Sequence, residues 1–303
     1  MRILLAVVGG AYNRGMTALA SALAAAFIVL AVAPPAAAFK VTVKPTAVRQ
    51  GDVALIVVTG AATAPEMDGS VADRPLFFFP YADGYAALIG VDLEAKPGRT
   101  PWHVGFVDGA GSPHKASGVI TVKSRKFPVQ RLTLPKSMVD LSPTDESRAE
   151  AEATRLRALY DTISAARLWQ GRFTRPIAST VKPEGFGFRR IINGQPRSPH
   201  SGVDFAAPAG TPVVASNRGR VALVANYFFG GRLVALDHGE GLYTLYMHLQ
   251  RVDVGEGNLV ERGAIIGAVG STGRATGPHL HWAAQLRRAR IDPSALLTLP
   301  VGD

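Results

Sequence analysis

Cysteine is absent from all 303 residues. The chain therefore has no disulfide, cannot be anchored through a lipid-modified cysteine, and can hold a metal ion only through imidazole and carboxylate. Its stability must come from ordinary apolar cores. Acidic residues are also scarce, 23 against 33 Lys and Arg, and the formal charge of +10 favours contact with anionic polymers. Nucleic acid is disfavoured as that polymer, because there is neither a Lys/Arg block nor a recognisable reading motif. No coiled coil, low-complexity targeting segment or separate binding repeat accompanies the C-terminal third.

Long hydrophobic runs are missing except near the start. Arg2 and Arg14 precede an apolar stretch from about Met16 to Ala33, and Pro34-Pro35-Ala36-Ala37-Ala38 supplies an A-x-A cleavage site before Phe39. Residues 1–38 are read as a signal peptide, with Met16 an equally good start. The run is at the short end for a span, which needs about 20 residues, so no stable membrane span is expected after cleavage. Losing Arg2 and Arg14 leaves a charge of about +8.

The remaining chain reads as all-β with one connecting helix. Residues 39–124 alternate with period two, Phe39, Val41 and Val43 against Lys40, Thr42 and Lys44, then Trp102, Val104 and Phe106 against His103 and Gly105. Turn signals such as Gln50-Gly51-Asp52 and Lys96-Pro97-Gly98 break these runs, which predicts a small antiparallel β-sandwich. Phe77-Phe78-Phe79 fits its core better than an exposed rim. Residues 125–170 read as a linker with a helix over about 143–168. Ser142 is the N-cap, Pro143 the first helical residue, and Asp145 and Glu146 occupy the first turn. Leu156, Leu159, Tyr160 and Ile163 form a stripe by which it should bridge two domains. From 171 to 303, short apolar strands alternate with glycine turns: 213–215, 220–225, 233–236, 243–246, 264–269 and 280–285.

Seven histidines are present, and their surroundings separate them. In a strand, His279 and His281 point to one side about 6–7 Å apart while Leu280 points to the other. One can be a metal ligand and the other a neighbour addressing water or substrate, and the spacing does not say which. His200 and Asp204 would lie ~13 Å apart if fully extended, too far for one ion, so the chain must bend, with Gly202 as the place. Alternation puts His248 on the face of Tyr246 and Thr244, so that a tyrosine and a histidine share one groove. His103, His114 and His238 read as structural.

Together these residues resemble the lysostaphin-type (LytM-like) zinc metallopeptidases of family M23. The likeness runs from Phe186 to Trp282, through Gly187–Arg190, Asn193-Gly194, His200–Asp204, Ala207–Pro212, Tyr246–Leu249 and Gly270–Trp282. Gly84-Tyr85, Gly90–Asp92 and Phe127-Pro128 are similar to a β-rich domain that precedes some of these peptidases. The resemblance implies an antiparallel β metallopeptidase domain holding one Zn2+ per chain through His200, Asp204 and His281. It implies catalysis by a zinc-activated water assisted by His248 and His279. The implied function is that of an exported endopeptidase acting on peptidoglycan stem-peptide cross-links, in the periplasm or cell envelope. The competing reading is a non-catalytic module that binds wall or activates another hydrolase; such regulators commonly lack ligand residues, and none is missing here. The bond cleaved is open, with Tyr227-Phe228-Phe229 and Arg274-Ala275 as candidate groove loops, and the sandwich is expected to shield the site partly.

Overall fold

The computed structural model describes residues 39–60, 66–108, 111–178 and 182–301. The expected signal segment lies outside them. The described residues form one compact unit.

The first half builds two sheets from β1 (Lys40–Lys44), β2 (Ala47–Arg49), β3 (Val53–Thr59), β4 (Met67–Val71), β5 (Arg74–Pro75), β6 (Phe79–Tyr81), β7 (Gly84–Gly90), β8 (Gly98–Val107) and β9 (Pro113–Lys123). One sheet has the order β1-β3-β7-β6 and the other β2-β9-β8-β4-β5. Ile56, Val58 and Ile89 from the first meet Val48, Val104 and Ile120 from the second in one core, giving the sandwich that the alternation predicts. β3 does not alternate: Val53-Ala-Leu-Ile-Val-Val-Thr59 is a continuous apolar run. The reason is burial on both faces. Leu55 and Val57 on β3, with Ala86 and Leu88 on β7, point away from the sandwich core and pack on Trp169, Leu242, Leu286 and Ile291. Phe79 joins that second core, edge-on to Trp169 with ring centroids 5.1 Å apart.

The stretch read as a linker is partly built into the second half. β10 (Val129–Leu132) pairs in parallel with β11 (Arg189–Ile192), which turns into β12 (Gln195–Pro196). Helix α1 (Pro143–Asp161) begins as predicted, with the Ser142 hydroxyl accepting from the Asp145 amide, but stops seven residues before Leu168. Tertiary partners take over the backbone there. Glu240 donates its amide to Ser164 O, the Leu168 amide donates to His238 O, and Tyr243 donates its hydroxyl to Thr162 O. Leu156, Leu159 and Tyr160 pack on Leu223, Tyr227 and Tyr243 of the second half, while Ile163 is 38% exposed beyond the helix. The helix therefore rests on one sheet and does not bridge two domains.

That sheet comprises β13 (Gly202–Ala206), β14 (Pro212–Val214), β15 (Gly219–Tyr227), β16 (Gly231–Asp237), β17 (Leu242–Val252), β18 (Leu259–Val260), β19 (Ile265–Val269), β20 (His279–Leu286) and β21 (Ala289–Ile291). Its main path is β13-β20-β17-β16-β15-β18, with β19 joining β14 to β17 and β21 joining β20, all antiparallel. Each of the six expected strands is present. One face is filled by Phe205, Tyr246, Leu249, Leu280 and Trp282, all fully buried. Removing a large apolar side chain of this kind from water stabilises the fold by about 1.5–3 kcal/mol. That packing fixes which residues of β13, β17 and β20 are left to face the other way. Among the described residues, no helix is long and apolar enough to cross a membrane.

Candidate metal centre

The site begins with a register. Asp204 on β13 is the direct cross-strand partner of His281 on β20, so their side chains leave the same face side by side. Leu280 is fully buried on the opposite face, as the strand period requires, and His279 emerges beside His281. His200 precedes β13 and is held by two backbone bonds, the Gly187 amide donating to His200 O and the His200 amide donating to Phe188 O. Its Nδ1 donates to Gly185 O at 2.9 Å, which leaves the lone pair on Nε2. Gly185, at φ +104°, permits this approach, since a Cβ there would lie 2.5 Å from His200 Nδ1.

Three ligand atoms converge. His200 Nε2 is 3.2 Å from Asp204 Oδ1, His281 Nδ1 is 2.9 Å from the same oxygen, and the two nitrogens are 2.8 Å apart. This spacing suits atoms that each lie ~2.0–2.2 Å from one shared ion, so the triad fits a single metal ion. The Gly185 carbonyl behind His200 is the usual outer partner of a ligating imidazole. Burial pulls the pKa of His200 down to about 4, against the opposing pull of the Asp204 carboxylate, with repulsion from His281 adding to the fall. Burial alone would raise Asp204, but the adjoining His200 and His281 rings outweigh it and hold the carboxyl well below its ordinary range. The triad thus presents a neutral His200 and a carboxylate, the forms that bind metal.

His200 and Asp204 do come together, but Gly202 is not the bend. β13 is regular from Gly202 onward, and its glycine matters for clearance: a Cβ would stand 2.5 Å from Trp282 O and 2.7 Å from His281 Nε2.

His248 departs further from simple alternation. It has φ +64°, and the pairing of β17 with β16 slips between Tyr246 and Leu249, on either side of it. This bulge turns the ring out of the face of Tyr246. Tyr246 stays fully buried, its hydroxyl accepting from the Ser216 amide at 2.9 Å, so no shared tyrosine–histidine groove forms. His248 instead meets His279 at 4.7 Å and His281 at 6.0 Å between ring centroids. Its Nδ1 donates to Thr272 O and that of His279 to Gly277 O, both at 2.8 Å, leaving both Nε2 lone pairs free. Burial, reinforced by His281, lowers the His248 pKa to about 3. All five residues singled out in the sequence therefore share one site.

The other histidines lie elsewhere. His238 is fully buried between Arg218 O and the Thr244 hydroxyl; His114 bonds Asp108 and stacks on Phe106; His103 meets Ser70. A groove of about 520 Å3 runs beside the site, lined by Gln130, Glu184, Phe188, Asp204, Thr276 and His279 among others. Gln130 had no sequence signal, because only the β10–β11 pairing brings it there. Tyr227, expected in a groove loop, is 8% exposed beneath α1. No described residue of 39–124 lines the groove, so the expected shielding by the sandwich is not seen. The sandwich packs on Leu286 and also touches Phe186, the neighbour of the Gly185 that bonds His200.

The family model for Peptidase family M23 matches residues 198–293. A solved structure from Pseudomonas aeruginosa assigned to peptidase M23 is 30% identical, with a TM-score of 0.56, over 82% of this chain and 94% of that one. The chain belongs to peptidase family M23. Among curated M23-like relatives, the peptidoglycan DD-endopeptidase ShyA of Vibrio cholerae is 46% identical over 90 residues, 30% of this chain and 21% of ShyA. ShyB of the same organism, also a peptidoglycan DD-endopeptidase, is 30% identical over 168 residues, 50% of this chain and 39% of ShyB. The chain thus spans about a fifth to two fifths of the length of these two M23 relatives.

Proposed function

We propose that this protein is an exported zinc metalloendopeptidase that hydrolyses peptide cross-links of bacterial peptidoglycan. The observation that carries the reading is the convergence of His200, Asp204 and His281 with two further imidazoles that keep free Nε2 lone pairs. The DD-endopeptidase relatives support the substrate class, and the leader-like residues 1–38 support export to the periplasm or cell envelope. His200 would bind zinc through Nε2, His281 through Nδ1 and Asp204 through its carboxylate.

Bound there, zinc supplies a Lewis acid that polarises the scissile carbonyl and brings water toward ionisation near neutral pH. His248 and His279 act on protons. Each ring is fixed in orientation by its Nδ1–H bond to a carbonyl, so Nε2 can take a proton from the attacking water and return it to the leaving amine. Once protonated, the same ring stabilises the developing oxyanion. Loss of solvation keeps His248 neutral beforehand, in the base form. The extended groove beside His279 accommodates a thin peptide.

The test is to load the purified chain, without residues 1–38, with zinc and incubate it with peptidoglycan of several wall chemistries. Mass spectrometry should find cross-linked muropeptides replaced by monomers. His248→Ala should abolish release while retaining about one zinc per chain. Unchanged muropeptide profiles in every wall type would overturn the proposal.

A further inference from the structure

Two of the three candidate ligands are tied by hydrogen bonds to one short strip of chain, residues 184–188. The Asp204 amide donates to Glu184 O at 2.8 Å, and the Glu184 amide donates back to Asp204 O at 3.3 Å. His200 is bonded to the same strip three times, through Gly185 O, the Gly187 amide and Phe188 O. Phe186, at its centre, turns its buried ring away from the ligands and toward the sandwich.

That ring lies directly on Gly51, in the turn Gln50-Gly51-Asp52. A Cβ at Gly51 would overlap Phe186 Cε1 and stand 2.8 Å from Cζ. Gly51 is pinned on both sides, its amide donating to Val91 O at 3.1 Å and its carbonyl accepting from the Asp292 amide at 2.8 Å. A second glycine contact closes the strip from behind: Phe127 sits on Gly187, where a Cβ would overlap the Phe127 ring, and the Phe127 and Phe186 centroids are 6.2 Å apart, edge to face. The Arg125 guanidinium lies 5.4 and 5.5 Å from the two centroids and pairs with Asp292 at 3.1 Å. Boxed in this way, the aromatic ring moves as one plate, and close packing passes any push on it to its own backbone. A shift of Phe186 therefore reaches Gly185 O and the Gly187 amide, and through them His200.

We infer that the sandwich positions the metal ligands: Gly51 buttresses Phe186, and both act as positioning residues for His200 and Asp204 although neither supplies a ligand. The reference to zinc rests on the metal reading above; the mechanical coupling does not.

Zinc affinity of the full chain, by competition with a chelator of known strength, and melts in excess chelator separate positioning from folding. Gly51→Ala should weaken zinc binding about 10-fold, as loss of an outer partner of a ligating histidine does. Two controls should melt lower yet bind zinc as wild type does. Gly257→Ala shares the left-handed backbone, φ +86° against +87°, with nothing within 4 Å of its Cβ, and Gly84→Ala overpacks the sandwich at Val58 and Thr59. Phe186→Leu takes away the two ring atoms that the new Cβ strikes, so the double variant with Gly51→Ala should return to the affinity of Phe186→Leu alone. A Gly51→Ala affinity equal to that of the controls, or losses that simply multiply in the double variant, would overturn the buttress. If Gly51→Ala does not fold, Phe186→Leu decides: weaker zinc binding sustains the inference, and wild-type affinity overturns it. If wild type takes up no zinc, the metal reading fails, and hydrogen exchange of the chelated chain decides the coupling alone. Gly187 and His200 amides exchanging about 10-fold faster in Gly51→Ala than in Gly84→Ala sustain it, and equal rates overturn it.

Discussion

Replacing Gly202 with alanine tests whether the packing of β13 on β20 positions the candidate metal ligands. The added Cβ would stand 2.5 Å from Trp282 O and 2.7 Å from His281 Nε2. Neither neighbour yields easily, because Trp282 is fully buried and His281 is held by Asp204. The strands must separate by roughly half an ångström, a local overpacking that costs about 1–3 kcal/mol. For a chain of this size, about 2 kcal/mol lowers Tm by roughly 4–8 °C. Moving His281 should also weaken zinc binding about 10-fold, which removes about 1.4 kcal/mol of zinc-dependent stabilisation. Gly277→Ala is the matched control, since a Cβ there meets nothing within 4 Å although the position is two residues from His279. Thermal melts of wild type and both variants, with chelator and with zinc, separate the two effects. Gly277→Ala should melt with wild type or slightly above it, because alanine restricts the unfolded chain. Gly202→Ala should melt lower with chelator, and the gap should widen with zinc. Coincident melts of Gly202→Ala and wild type under both conditions would refute the close approach of these strands.

Three further outcomes follow from burial and hydrogen bonding. Glu240 is 6% exposed and burial raises its pKa from 4.5 to about 7, despite partial relief from Arg167 and Arg287. A carboxyl raised in the folded state stabilises the fold while protonated, so the benefit is full below about pH 4.5 and lost as pH rises through 7. At about 1.4 kcal/mol per pH unit, Glu240→Gln should gain roughly 3 kcal/mol relative to wild type between about pH 4.5 and 8 in urea melts; a pH-independent difference would count against this. Tyr246→Phe leaves the Ser216 amide without its partner and should cost about 1–3 kcal/mol, yet zinc stoichiometry should not change because the ring faces away from His281. Leu280→Ala removes a fully buried side chain between His279 and His281 and should cost about 2–5 kcal/mol, measured by denaturant unfolding; a loss below about 1 kcal/mol would show that the face is not closely packed.

Much of the architecture was legible because burial on one face writes a period into the chain. Lys40–Lys44 and the segment around Trp102–Phe106 announced half-buried strands, and Ser142-Pro143 announced the start of α1. Double-sided burial hid β3, where Leu55 and Val57 serve one core while Ile56 and Val58 serve another. Flanking prolines and glycines hid β13, the strand that carries Asp204. The end of α1 was illegible for another reason, since the acceptors and donors that capture 162–168 lie on a turn some 75 residues later.

Residue types alone settled the chemistry available: without cysteine, only histidines and a carboxylate can hold a metal ion, and strand period puts His279 and His281 on one face. Which atoms meet was left to the packed chain. Cross-strand register set Asp204 beside His281, a bulge at φ +64° swung His248 away from Tyr246, and the β10–β11 pairing carried Gln130 to the groove. Local sequence governs which face a side chain can take, but distance between segments 70 or more residues apart is set by which strands pair and how their common core packs.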